Sequence, residues 1–195
     1  ADGAVVFGSL SSADQLPTGW IDDQDGGHYR LRRDESAGCF DHVVGPHSLK
    51  NFLFPPRETL QRLTRENGHW RESPAADIPQ PLAVIGVRAC DLAALRVQDL
   101  VFLEGLHVDT AYRSRRERLF VVAVNCRRAA ATCFCHSMGC GPAVTHGFDL
   151  ALTETDDGFA VEIGTQRGGT ILEAVAEAGC LRACTADEAA RVRAL

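Results

Sequence analysis

Two short, uninterrupted apolar runs bracket the middle of this chain: Pro81–Val87 (PLAVIGV) and Leu119–Val124 (LFVVAV). Neither alternates with polar residues, so each reads as a strand buried on both faces. Between them, Leu92–Gly105 (LAALRVQDLVFLEG) repeats its apolar residues at a roughly helical spacing through Leu92, Leu95, Leu100 and Phe102. Asp91 stands in front of that stretch as an N-cap, and a glycine closes it. Asp109–Glu117 (DTAYRSRRE) predicts a second helix. Strand, helix and parallel strand make a right-handed crossover unit. The expected fold class is therefore α/β: a small mixed sheet with a parallel β-α-β unit, flanking helices and antiparallel hairpins.

The hairpins are expected at two places. Phe148–Gly164 alternates Leu150 and Leu152, then Phe159, Val161 and Ile163, about an Asp157-Gly158 turn. His28–Asp34 and Cys39–Gly45 flank a short polar connection and predict a second hairpin. Pro56–Gly68 predicts a helix, with proline at its start, leucines three apart at Leu60 and Leu63, and Gly68 at its end. Thr170–Gly179 and Thr185–Leu195 predict two more, each opened by threonine with Glu173 or Glu188 three positions on. Residues 1–27 carry little pattern and are expected to be irregular. Ser73–Gln80 reads as a linker.

Composition excludes several classes. The 195 residues suit one domain with a proper core. A net charge of −6 does not suit a general nucleic-acid binder, which needs basic stripes against phosphates. The cluster of Arg113, Arg115, Arg116 and Arg118 reads as a solvated helix face. No apolar segment approaches the ~20 residues that span a bilayer, so no membrane insertion is expected. No signal peptide is visible, and the expected setting is a reduced cytoplasm.

Each apolar run leads into a cysteine: Cys90 in GVRACD and Cys126 in AVNC. In an open α/β sheet, functional groups gather beyond the carboxyl ends of parallel strands. If the two strands are neighbours, the two cysteines emerge side by side. Cys133, Cys135 and Cys140 follow in the loop VNCRRAAATCFCHSMGCGP, where Cys133 and Cys135 can fold back over both. Thiols crowded at a strand end hold a soft metal centre, form disulfides or do redox chemistry. Eight cysteines in this length are too few for a disulfide scaffold, so ligands are favoured over staples. The spacing matches neither the paired Cys-x-x-Cys knuckles of a zinc ribbon nor the Cys-x-x-Cys-x-x-Cys run of a bacterial ferredoxin. An iron–sulfur cluster is larger than one ion and accepts ligands from separated points more readily. Ser137, Gly139 and Gly141 would let backbone amides approach its sulfides. Three readings stay open on these residues: an electron-transfer module with one cubane cluster, a zinc-stabilised non-redox interaction domain, and a thiol enzyme using Cys135 or Cys140 with His136. Cys39, Cys180 and Cys184 read as small buried apolar groups. GVRACD lacks the spaced glycines of a dinucleotide site.

These same segments carry a resemblance. GVRACDLAALRVQD (Gly86–Asp99), YRSRRE (Tyr112–Glu117), VNCRRAAATCFCHSMGCGP (Val124–Pro142) and FDLALTE (Phe148–Glu154) occur in that order after VGPHSLKNFLFPPRE (Val44–Glu58). Together they resemble the N-terminal region of the iron–sulfur β subunits of sulfhydrogenase-type nickel–iron hydrogenases, which is shared with anaerobic sulfite reductase and related 4Fe-4S dicluster proteins. The resemblance implies an electron-transfer component of an oxidoreductase complex rather than a catalyst by itself. It would pass electrons between a flavin reductase partner and a catalytic subunit of hydrogenase or sulfite-reductase type. It also implies a 4Fe-4S cluster bound by Cys90, Cys126, Cys133 and Cys135, with zinc as the alternative metal. The chain departs from the family in two ways. The ferredoxin-like dicluster half is expected to be absent, leaving one domain over residues 1–195. Cys140 also stands where a small non-thiol residue is expected. Docking is expected through the Cys133–Pro142 loop, with the arginine-rich helix as part of its rim.

Overall fold

The protein is described by a computed structural model that covers residues 4–7, 19–25, 27–45, 48–73, 80–155, 158–177, 179, 181–185, 189–190 and 192. In chain order the strands are β1 (Ala4–Phe7), β2 (Trp20–Asp25), β3 (His28–Arg33), β4 (Arg62–Glu66), β5 (His69–Ser73), β6 (Leu82–Val87), β7 (Leu119–Val124), β8 (Leu150–Thr155) and β9 (Gly158–Ile163). The helices are α1 (Lys50–Leu53), α2 (Ala89–Phe102), α3 (Thr110–Glu117), α4 (Cys135–Met138) and α5 (Gln166–Glu177).

A five-stranded sheet in the order β1-β6-β7-β8-β9 organises the molecule. Its first four strands are parallel, and β9 closes it antiparallel to β8. The two apolar runs are its neighbouring central strands, paired Leu82 to Leu119 and Val84 to Val121. The α/β class, the β6-α2-α3-β7 unit and the β8–β9 hairpin all stand as expected. Asp157 of the expected turn lies outside the described residues.

The core fills the space between this sheet and the crossover helices. Val84, Val121, Ala123 and Ala151 from the strands meet Leu92 and Leu95 of α2, Tyr112 of α3 and Leu53 of α1. Tyr112 is wholly buried. Its hydroxyl donates to Asp99 Oδ1 at 2.7 Å, which offsets the cost of burying it. At the start of β8, Asp149 is 3% exposed. It accepts from Val121 N, Thr165 Oγ1 and the Arg167 guanidinium, tying α5 to the sheet.

Several expectations are corrected. Residues 56–68 form no helix: β4 and β5 pair antiparallel across Asn67 and Gly68, both at positive φ (51° and 83°). That geometry is the hairpin turn Asn-Gly favours, so Gly68 is a turn residue and not a helix end. Leu60 and Leu63, spaced like a helical stripe, are 86% and 53% exposed. The strand at 28–33 pairs with β2 rather than with residues 39–45. Residues 4–7 and 20–25, expected to be irregular, are therefore strands. Asp91 is not the cap of α2. Arg88 is, and the Asp91 carboxylate accepts its N–H from inside the first turn. Helix α5 begins four residues before Thr170, with Thr165 Oγ1 accepting from Gly168 N. Most of the expected 185–195 helix, the 74–79 linker and Cys180 lie outside the described residues.

Candidate metal centre

Because β1, β6, β7 and β8 are parallel, their carboxyl ends share one edge of the sheet. Cys90 lies in the first turn of α2, just past β6, and Cys126 lies two residues past β7. The strand register places them next to each other at that edge.

The loop after Cys126 is closed at its base. Asn125 N–H joins Leu152 O at 2.9 Å, and its amide donates to Thr153 Oγ1 and accepts from Val144 N, both at 2.8 Å. Cys126 N–H reaches Pro142 O at 3.3 Å. The far side of the loop turns through α4 and returns past Gly141, at φ 126°. A Cβ on Gly141 would stand 3.0 Å from Ala89 Cβ and 3.5 Å from Cys135 Cβ. The glycine therefore lets the loop lie directly on the first turn of α2, which carries Cys135 to Cys90. Cys133 Sγ accepts from Ala130 N at 3.3 Å.

The thiols influence one another across these three stretches of chain. Burial pushes the Cys90 thiol up to about 12, with Asp91, Cys135 and Cys126 adding to the shift. Cys126 is also raised, first by burial and then by Cys135 and Cys133, while Arg88 opposes the rise. The sequence-derived set of Cys90, Cys126, Cys133 and Cys135 is thus one electrostatic neighbourhood. Cys133 is exposed and the other three are half-buried. Among the described residues, no three His, Cys, Asp or Glu side chains form a group that could hold a single metal ion.

The expectation missed the residues around the thiols. Arg88 is 3% exposed. Its Nη2 donates to Phe40 O at 2.7 Å and His42 O at 2.9 Å, and its Nη1 approaches Cys126 Sγ at 3.8 Å. The segment it holds, residues 38–44, is a strap across the sheet edge. Buried Glu154 accepts from Cys39 N at 2.7 Å and Phe40 N at 3.2 Å. Gly38 is packed so tightly on that carboxylate that a Cβ would fall 2.3 Å from Oε1. Buried Asp22 accepts from Val43 N and pairs with Arg128, whose Nε also donates to Asp41 O. Strap, cysteine loop and β2 are thereby one hydrogen-bonded unit. A charged residue directly after a buried strand, as Arg88 is in GVRACD, was the available signal.

Two further expectations change. The arginines of α3 lie at the opposite edge of the sheet from the thiols, because α3 feeds the amino end of β7. Arg118 O accepts from Leu82 N at the start of β6. Arg115 and Arg116 pair with Glu58 and Asp99 while Arg113 and Arg118 are exposed, so the face is only partly solvated, and it is not a rim of the cysteine loop. Beside the thiols, Phe134 and Met138 are instead each 66% exposed. Among the described residues, no helix is long and apolar enough to cross a membrane.

No protein-family profile matches the chain, and no solved structure does. It is similar to the Sulfhydrogenase 2 subunit beta of Pyrococcus furiosus, with 30% identity over 119 residues. That match covers 61% of this chain and 33% of the relative, so the chain spans about a third of the length of the protein it matches.

Proposed function

We propose that this chain is a single iron–sulfur domain, or a subunit of that kind, which relays electrons inside a redox complex of hydrogenase type. The observation that supports the proposal is that Cys90, Cys126 and Cys135, with Cys133 on the Cys126 side, gather from three stretches of chain at one sheet edge. The likeness to a sulfhydrogenase β subunit supports it. In this reading Cys90, Cys126, Cys133 and Cys135 hold a 4Fe-4S cluster. The partners are a flavin reductase subunit on one side and a catalytic subunit on the other, in the cytoplasm.

The donor set fits such a group. Thiolates are the ligands iron–sulfur clusters take. Zinc also takes thiolates, at ~2.3 Å about one point, and stays the alternative metal for the same four residues. When bound, the cluster supplies one-electron transfer without bond rearrangement. The protein's own residues do the rest. The raised thiols of Cys90 and Cys126 stay protonated until a cation displaces their protons, which makes loading pH-dependent. The amino end of α2 and the Arg88 guanidinium offset the negative charge that four thiolates gather.

Anaerobic isolation followed by iron, sulfide and zinc analysis tests the proposal. A brown protein with iron and acid-labile sulfide is expected, falling in each of Cys90→Ser, Cys126→Ser, Cys133→Ser and Cys135→Ser. A colourless chain carrying stoichiometric zinc would overturn it.

A further inference from the structure

The cysteine loop contains a fifth thiol with a defined partner. Helix α4 ends with Gly139 at φ 63°, Gly139 N–H on His136 O at 3.2 Å, and Cys140 N–H on Cys135 O at 3.0 Å. These paired bonds are a Schellman closure, in which the side chains at the third-from-last helical position and at the second residue beyond the end meet each other. An apolar contact commonly fills that place. Here the two residues in those positions are Cys135 and Cys140. The Cys140 N–H bond to Cys135 O closes the turn and brings the backbones of the two cysteines together, as a disulfide between them requires. Gly141, next in the chain, lies in van der Waals contact with the Cys135 side chain, where an added Cβ would stand 3.5 Å from its Cβ and 3.9 Å from its Sγ. Both thiols are half-buried, within reach of a dissolved oxidant.

We propose that Cys135 and Cys140 form a reversible disulfide in the cluster-free chain when it meets a small disulfide such as oxidised glutathione. The Cys135 thiolate attacks one sulfur of the oxidant, whose S–S bond breaks and releases one glutathione thiol. Cys140 Sγ then attacks Cys135 Sγ in the mixed disulfide, and the second glutathione thiol leaves. The two protein thiols are oxidised by two electrons, the oxidant is reduced by two, and both protein protons end on the glutathiones. Resting on the ligand assignment made above, this bond withdraws Cys135 from the cluster site. Oxidation then blocks loading and a reductant restores it.

The test uses the full chain, stripped of metal under argon, exposed to oxidised glutathione, alkylated with iodoacetamide and cut with chymotrypsin. Cleavage after Phe134 and Phe148 isolates residues 135–148, which contain Cys135 and Cys140 but not Cys133. This peptide is expected to carry no alkyl group and to be lighter by about two hydrogen masses than its reduced form. Cys140→Ser is expected to lose that species and keep its full iron content when loaded without oxidant. Alkylation of both thiols after oxidation would overturn the proposal. So would a bond from Cys135 to Cys90, Cys126 or Cys133, or loss of iron in Cys140→Ser, which would make Cys140 a ligand. If the disulfide forms yet the oxidised chain still loads iron fully, the disulfide stands and the assignment of Cys135 to the cluster falls.

Discussion

Arg88 and Cys126, 38 residues apart in sequence, meet where β6 and β7 end, with guanidinium Nη1 at 3.8 Å from Sγ. The same guanidinium gives its other terminal nitrogen to two carbonyls of the strap and lies over the Phe40 ring. One buried cation thus serves the fold and the thiol site together. A buried charge is tolerated only when its donors are matched, and here backbone oxygens and sulfur do the matching.

Arg88→Met should therefore act on both. Phe40 O and His42 O would lose a charged donor, and stability should fall by ~3 kcal/mol in urea titrations. Arg88→Lys should recover part of that, since a single ammonium cannot span both carbonyls and the thiol. Unchanged urea midpoints for both variants would remove the cation from the fold.

Glu154→Ala should loosen the strap. It strips the acceptor from the amides of Cys39 and Phe40, at a cost of about 1–3 kcal/mol. Amide exchange at those two residues should accelerate while β6 and β7 stay protected. Equal protection in variant and wild type would show that the strap is held by Arg88 and Asp22 alone.

His42 should make the protein acid-sensitive. Burial, helped by Arg88, lowers its pKa from 6.5 to about 4. Between those values the unfolded chain binds a proton that the folded chain refuses. Stability is therefore full above pH 6.5 and falls as the pH drops toward 4, by up to ~3 kcal/mol from this residue. His42→Asn should flatten the slope of stability against pH in that window. A wild-type profile already flat from pH 7 to 4.5 would show the imidazole is not desolvated.

Gly141→Ala should spoil the thiol site while sparing the sheet. Its φ of 126° is strained for alanine, and its Cβ would press on Ala89 at 3.0 Å. A penalty of ~1–3 kcal/mol falls on the seat of the loop against α2. The far-ultraviolet circular dichroism should persist and the iron content should drop. Full iron retention would mean the loop binds without touching α2.

The parts of the fold legible from sequence were those governed by local pattern. Apolar runs without alternation located β6 and β7, and alternation about Asp157-Gly158 located β8 and β9. The errors came from competing local signals. In residues 56–68, proline, two leucines and a glycine outweighed Asn67-Gly68, the better hairpin signal. Cys90 and Cys126 were legible because strand ends say where they go. Arg88, Glu154, Asp22 and Arg128 were not, because their partners lie 21 to 115 residues away and only the folded sheet edge brings them together. The α3 arginines show the same limit. Their clustering is local, but their ion pairs with Glu58 and Asp99 depend on the packing of other elements.

The Glu154 latch also sets an order of assembly. As the chain is synthesised from its amino end, the strap and all the loop thiols emerge before the carboxylate that fastens residues 39 and 40. Cys135 precedes Glu154 by nineteen positions (154 − 135 = 19). At ~5–20 residues per second, that is roughly one to four seconds of translation. For that interval β8 is incomplete, and Asn125 has neither Leu152 nor Thr153 to grip. A nascent chain thus presents its thiols on an unlatched loop, and the site acquires its roof only when the fourth parallel strand arrives.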